Sequence, residues 1–192
     1  TFKAWQAYMD GTPADAVLIL GDLFEVWVGD DEVPNSPFLQ ACSEVLRSAS
    51  TRLHLGIMHG NRDFLMGPAF MASCGAQLLN DPTLLRWGCN SWLLSHGDAL
   101  CIGDTDYQKF RQEVRSADWM ARFLAQPLAE RQAVARQLRT HSETRKSSGM
   151  GFADADTALS LSWLKSVSAS HLIHGHTHQA ADHVLTEDGQ EP

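Results

Sequence analysis

Ser170-His171-Leu172-Ile173-His174-Gly175-His176-Thr177-His178 carries a short apolar run into a glycine and places imidazoles at 174, 176 and 178. The stretch reads as a strand that ends in metal ligands. Imidazole is the commonest protein metal ligand, and in an extended segment His176 and His178 project to one side while Thr177 points away. Alone, such a pair is more often a histidine-rich surface turn. Recurrence separates the two readings, because the same construction occurs three more times upstream. Ala16-Val17-Leu18-Ile19-Leu20 runs into Gly21-Asp22; Leu53 to Met58, broken by Gly56, runs into His59-Gly60-Asn61-Arg62-Asp63; Ser91-Trp92-Leu93-Leu94-Ser95 runs into His96-Gly97-Asp98.

Between these runs the apolar spacing changes to a helical period. Phe2, Trp5 and Met9 share one face, as do Phe38, Leu39, Cys42, Val45 and Leu46, and a short helix is expected over Phe64 to Cys74. Weak strand signals surround Gln77 to Leu79 and Thr83 to Leu85. Asp104 is placed to cap a helix carrying Tyr107, Phe110 and Val114; Trp119, Met120, Phe123 and Leu124 form an apolar cluster, and Pro127 stands near the start of a further helix. A helix around Ala158 to Leu164 precedes the last strand. Strands alternating with helices imply an α/β sheet, in which ligands gather outside the carboxyl ends of the strands. Asp22, Asn61, His96, His176 and His178 all lie at such ends, so the fold is expected to bring one carboxylate, one amide and three imidazoles together.

That donor mix excludes a thiolate zinc site and suits a divalent ion such as manganese, with iron or zinc as competitors. A carboxylate can bridge two ions about 3.5 to 4 Å apart, an arrangement suited to hydrolysing phosphoesters and pyrophosphates. The acids Glu25, Asp30 and Asp31 read more readily as a solvated loop than as part of the site.

A chain of 192 residues with 44% apolar content can bury one sizeable core, so one domain is expected. A formal net charge of −8 argues against nucleic acid as the main partner. The four cysteines form no CxxC motif, which fits a reduced, cytoplasmic setting. No apolar run approaches the roughly 18 residues of a membrane span, so membrane contact is expected to be peripheral. The basic residues concentrate between 109 and 146. They suggest either a helical hairpin with a charged outer face or a lid whose apolar side meets something greasy while its cations meet phosphate or an anionic membrane.

Gly21-Asp22, Gly60-Asn61-Arg62-Asp63, His96-Gly97-Asp98 and Gly175-His176-Thr177-His178 resemble, in order and spacing, the motifs of calcineurin-like metallophosphoesterases. More narrowly, Leu20 to Glu25, Trp27 to Asp31, Met58 to Gly67, Ser95 to Cys101 and Leu172 to His178 look like the UDP-2,3-diacylglucosamine pyrophosphatases of lipid A synthesis. The resemblance implies an α/β metallophosphoesterase-type β-sandwich flanked by helices, with a helical lid insertion at about 104–150 within a single domain. It implies two Mn2+ ions, the first held by Asp22, Asn61, His96 and His176. The second would share Asp22 and take His178 together with an Asp-x-His motif from a strand expected upstream of Thr1, so these residues complete one site and half of the other. The family also continues through further strands after the His-Thr-His turn.

The resemblance further implies hydrolysis of the pyrophosphate at its α phosphorus, giving UMP and 2,3-diacylglucosamine 1-phosphate. Asn61, Arg62 and His176 would act at the reacting phosphate, with Arg62 standing where the wider superfamily has histidine. Asp104, Tyr107, Ser142 and Lys146 would join Asn61, Arg62 and His176 in holding the UDP-linked diacylated glucosamine. The enzyme would work at the cytoplasmic side of the bacterial inner membrane, with peripheral membrane contact and no obligate protein partner. Two other readings stay open. A phosphoesterase for a soluble nucleotide would gain if Trp119 to Leu124 were packed into the main core with no open channel. An inactive scaffold would gain if the Asp-x-His strand were missing from the gene.

Overall fold

Apolar runs and turn residues partition the chain into six strands and seven α-helices among the residues described by the structure, a computed structural model covering 1–147 and 154–185. Strands β1 (Ala16–Ile19), β2 (His54–Met58) and β3 (Gln77–Leu79) form a parallel sheet in that order. Strands β4 (Thr83–Trp87) and β5 (Asn90–Ser95) pair antiparallel, and β6 (His171–His174) joins β5 in parallel to complete a second sheet. The two-sheet α/β architecture is the one expected. Gly56 does not break its strand: it pairs with both Leu18 and Gln77, and a Cβ there would lie 2.8 Å from a Leu18 methyl and 2.9 Å from a Leu79 methyl. The missing side chain makes room for its neighbours.

Helices α1 (Phe2–Gly11), α2 (Pro37–Ser50) and α3 (Pro68–Cys74) belong to the first half of the chain. Met9, Leu46, Leu55, Ile57 and Phe70 are buried in the core they share, each such side chain contributing about 1.5–3 kcal/mol. The expected helix from Phe64 begins later, at Pro68. Asp30 causes the delay, accepting hydrogen bonds from Gly67 N–H at 2.8 Å and Phe70 N–H at 2.9 Å, so that a side chain 37 residues upstream starts the helix.

The insertion consists of α4 (Thr105–Val114), α5 (Ala117–Leu124) and α6 (Leu128–Ser147), followed by α7 (Thr157–Val167) before β6. Asp104, Ser116 and Asp156 cap α4, α5 and α7 by accepting the N–H three residues on. Most of the apolar face of α5 is packed, with Leu124 left exposed. Phe123 joins the main core; Trp119 stacks on it at 4.7 Å between ring centroids and meets Phe64 at 6.3 Å. Farther along, Arg131 is buried, and its guanidinium bonds both carboxylate oxygens of Asp31 and the carbonyls of Val28 and Gln126. Of the acids expected as a solvated loop, Glu25 is exposed, but Asp30 anchors α3 and Asp31 anchors α6. No described helix is long and apolar enough to cross a membrane.

Candidate metal centre

The carboxyl ends of β1, β2, β5 and β6 meet at one point, although β1 and β2 belong to a different sheet from β5 and β6. A hydrogen bond of 2.9 Å joins His96 Nδ1 to the Leu20 carbonyl, and Gly175 N–H donates to the His96 carbonyl at 3.0 Å. Close approach of these turns requires glycine. A Cβ on Gly60 would overlap the Asp22 carboxylate, and one on Gly21, which has φ +85°, would lie 2.6 Å from both Gly60 Cα and His96 Nδ1. Asp22 itself has φ +53°. Non-glycine residues held in such backbone conformations cost about 1–3 kcal/mol each and cluster at functional sites.

Asp22, His96 and His176 each bring one ligand atom within 4.8 Å of the others. Asn61 completes the group, with Oδ1 3.1 Å from His96 Nε2 and 3.0 Å from His176 Nδ1. The donor set can be tested through the tautomer of His96. A carbonyl only accepts, so the contact with Leu20 places the imidazole hydrogen on Nδ1 and leaves a lone pair on Nε2. That lone pair faces Asn61 Oδ1, itself an acceptor, with an Asp22 oxygen 3.8 Å away. Acceptors converging here, with the Asn61 Oδ1 directed at both His96 Nε2 and His176 Nδ1 and the backbone N–H of Asn61 reaching Nε2 at 3.3 Å, fit a cation, and a histidine that donates its other N–H to a backbone carbonyl is the usual arrangement around a bound metal. Burial, with His96 alongside, pushes the His176 imidazole down to about 4, which keeps it neutral and able to act as a ligand.

His178 departs from expectation. The strand ends at His174, and Thr177 N–H donates to the Gly175 carbonyl at 2.9 Å, closing a three-residue turn over His176 with φ +71°. His178, at φ +57°, is exposed, so the pair does not project from an extended segment. The cause is the turn hydrogen bond, which buries Thr177 and rotates the backbone between the two imidazoles. His178 lies outside the group formed by Asp22, Asn61, His96 and His176.

Arg62 stands at the rim, its Nε 3.8 Å from Asp22 and an amino nitrogen 3.3 Å from the exposed Glu25. Its own N–H donates to Asp22 Oδ1 at 2.9 Å. Asp104 accepts the Tyr107 N–H at 3.1 Å as the cap of α4, and the Tyr107 ring faces His176 at 5.8 Å with 28° between planes. Ser142 and Lys146 fall within α6, but their side chains lie outside the described residues, as do positions 148–150 of the expected lid.

Two acids quoted in the motifs but given no role turn out to organise the site. Asp63 is fully buried and accepts N–H bonds from Gly60 at 2.7 Å and from Asp22 and Phe24 at 3.3 Å, fastening the first two turns together. Burial pushes its carboxyl above the usual range despite those bonds. Asp98, also fully buried, receives Tyr107 Oη at 2.6 Å, Arg111 Nε at 2.8 Å and Arg115 at 3.2 Å. Burial opposes its ionisation, but the two guanidinium charges prevail and hold the carboxyl below the usual range. Tyr107, Arg111 and Arg115 recur every four residues, a spacing visible in the sequence as three polar donors on one helix face. Their common acceptor was not visible.

A calcineurin-like phosphoesterase family model matches residues 2–180. A UDP-2,3-diacylglucosamine hydrolase of Chromobacterium violaceum is 44% identical over 188 residues, covering 96% of this chain and 76% of that protein. Proteins of the same name from Chromohalobacter salexigens and Bordetella pertussis are 41% and 40% identical, covering 94% and 92% of this chain and 74% and 69% of their own lengths. With its strand-end turns converging on a donor set suited to a divalent cation, the chain belongs to the calcineurin-like phosphoesterases and, among them, to the UDP-2,3-diacylglucosamine hydrolase family.

Proposed function

We propose that the chain hydrolyses the pyrophosphate of UDP-2,3-diacylglucosamine to UMP and 2,3-diacylglucosamine 1-phosphate, a step in lipid A synthesis. The observation that carries this reading is the convergence of Asp22, Asn61, His96 and His176 in a chain 44% identical to a protein of that name. These four residues would hold a divalent cation, manganese in our reading, and Asp22 with His178 would contribute to a second. Such ions supply charge neutralisation at the phosphoryl oxygens and an activated water.

The chain's own groups do the rest. Arg62 is suited to grip phosphoryl oxygens with two N–H bonds, and a phosphate arriving there would replace the carboxylates that now flank it. Neutral His176 and the Asn61 amide bind beside it. The insertion at about 104–150 would serve as a lid within a single domain, with Asp104, Tyr107, Ser142 and Lys146 joining Asn61, Arg62 and His176 in binding the substrate. The exposed Phe110, Leu124 and Leu138 offer apolar surface for the acyl chains and for peripheral contact with the cytoplasmic side of the inner membrane. Neither nucleic acid nor an obligate protein partner is required.

Manganese-dependent release of UMP from the diacylated sugar nucleotide tests the reading. His96→Ala and Asp22→Ala should abolish release while leaving the thermal unfolding profile largely intact; unchanged turnover in either variant overturns the site. The packing of Trp119 and Phe123 against the main core favours a second reading, a phosphoesterase for a soluble nucleotide. Faster turnover of an unacylated UDP-sugar than of the diacylated one would select it.

A further inference from the structure

Asp98 has no place in the donor set, yet it connects the insertion to two of the proposed ligands. Three donors from one face of α4 converge on its Oδ2, and the Gln108 amide donates to its carbonyl at 2.7 Å. Two of those side chains reach onward. Arg115 also donates to the Gly60 carbonyl at 3.0 Å, while the N–H at the other end of that peptide group, from Asn61, points to His96 Nε2 at 3.3 Å. The peptide plane carrying Asn61 is thereby held at both ends. Tyr107 lays its ring beside His176, 5.8 Å between centroids, so one wall against that imidazole is a side chain whose hydroxyl Asp98 fixes. Arg115 is steadied in turn by the Phe64 ring, 5.6 Å from its guanidinium carbon.

We infer that Asp98 is a positioning residue that couples the seating of α4 to divalent-cation affinity, acting through Arg115 on Asn61 and through Tyr107 on His176. This rests on the proposed reading of the four-residue cation site but not on the identity of the substrate. Outer groups that orient metal ligands change affinity or activity by about 10-fold to 100-fold when removed. Asp98→Asn keeps the size of the side chain while removing the charge that gathers both guanidinium groups.

The experiment is calorimetric titration of the full chain with manganese chloride alone, alongside kcat and KM for UMP release. Asp98→Asn should weaken manganese binding by about 10-fold to 100-fold and lower kcat, with excess manganese recovering part of the loss. Arg115→Met should weaken binding comparably, and Arg115→Lys, which restores a donor to the Gly60 carbonyl, should recover much of it. Tyr107→Phe keeps the ring but drops the bond to Asp98 and should have a smaller effect in the same direction. The last three variants keep the test decisive if Asp98→Asn fails to fold. Lower unfolding temperatures with wild-type manganese affinity throughout would overturn the inference and leave the proposed function standing. Wild-type chain that binds manganese tightly but releases no UMP would overturn the substrate and leave the positioning role intact.

Discussion

In the strand-end turns, Gly21, Asp22, Gly97, His176 and His178 all have positive φ, and backbone atoms of different turns approach so closely that added methyl groups have nowhere to go. In α4 to α6 the backbone is regular helix, and beside the packing of Trp119 and Phe123 the attachment to the rest of the molecule comes from a few long side chains such as Arg111, Arg115 and Arg131. The first region depends most on close-fitting shape, the second most on charge. A shaped region tolerates almost no change in volume at its glycines, whereas a charge-held region accepts changes of size and gives way when a carboxylate is protonated or a guanidinium removed.

The largest effect should follow from forcing volume into the turns. Gly60→Ala would drive a methyl group into the Asp22 carboxylate; a loss of about 3 kcal/mol in chemical denaturation and at least a 100-fold fall in UMP release are expected. Wild-type behaviour would show that the turns can open. Arg131→Met should cost about 1–3 kcal/mol, because the carbonyls of Val28 and Gln126 lose their donor, while hydrolysis at saturating manganese changes far less.

Acid should erase part of that second difference. The hydrogen bond from Arg131 holds the Asp31 carboxyl below its ordinary 3.8, so its contribution is complete above that value and is lost as pH falls through the lower folded one. The stability gap between wild type and Arg131→Met should therefore narrow as denaturation is measured at pH 5, 4 and 3. A constant gap would assign the effect to packing. The smallest change is expected on the solvent face of α2, where Arg47 and Glu44 pair in full exposure; Arg47→Ala should leave the unfolding midpoint and the hydrolysis rate where they are.

Much of this was legible in the residues themselves. Four apolar runs ending in glycine and a ligand-type side chain located β1, β2, β5 and β6, and with them the turns that converge. Asp104 announced a helix cap because capping depends on the residues immediately beside it. What escaped was contact at a distance. Nothing local marks Asp31 and Arg131, 100 residues apart, as partners, or Asp30 as the group that starts α3. The three donors on α4 were spaced as a helix face, but Asp98 is chosen by how that helix docks. His176 and His178 failed differently: an extended backbone was assumed up to a tight turn that three adjacent residues form on their own.

The seam where the sheets meet at their carboxyl-terminal rims has a mechanical consequence. Leu20 belongs to one side, His96 and Gly175 to the other, and the cation expected among Asp22, Asn61, His96 and His176 would rivet the same line. At a hundredfold excess over its Kd, a ligand that binds only the folded chain adds about 2.7 kcal/mol. Chelation would thus slacken the join between two halves of the molecule as well as silence the chemistry, and a cell starved of the ion would hold a looser protein, more open to proteolysis along that line.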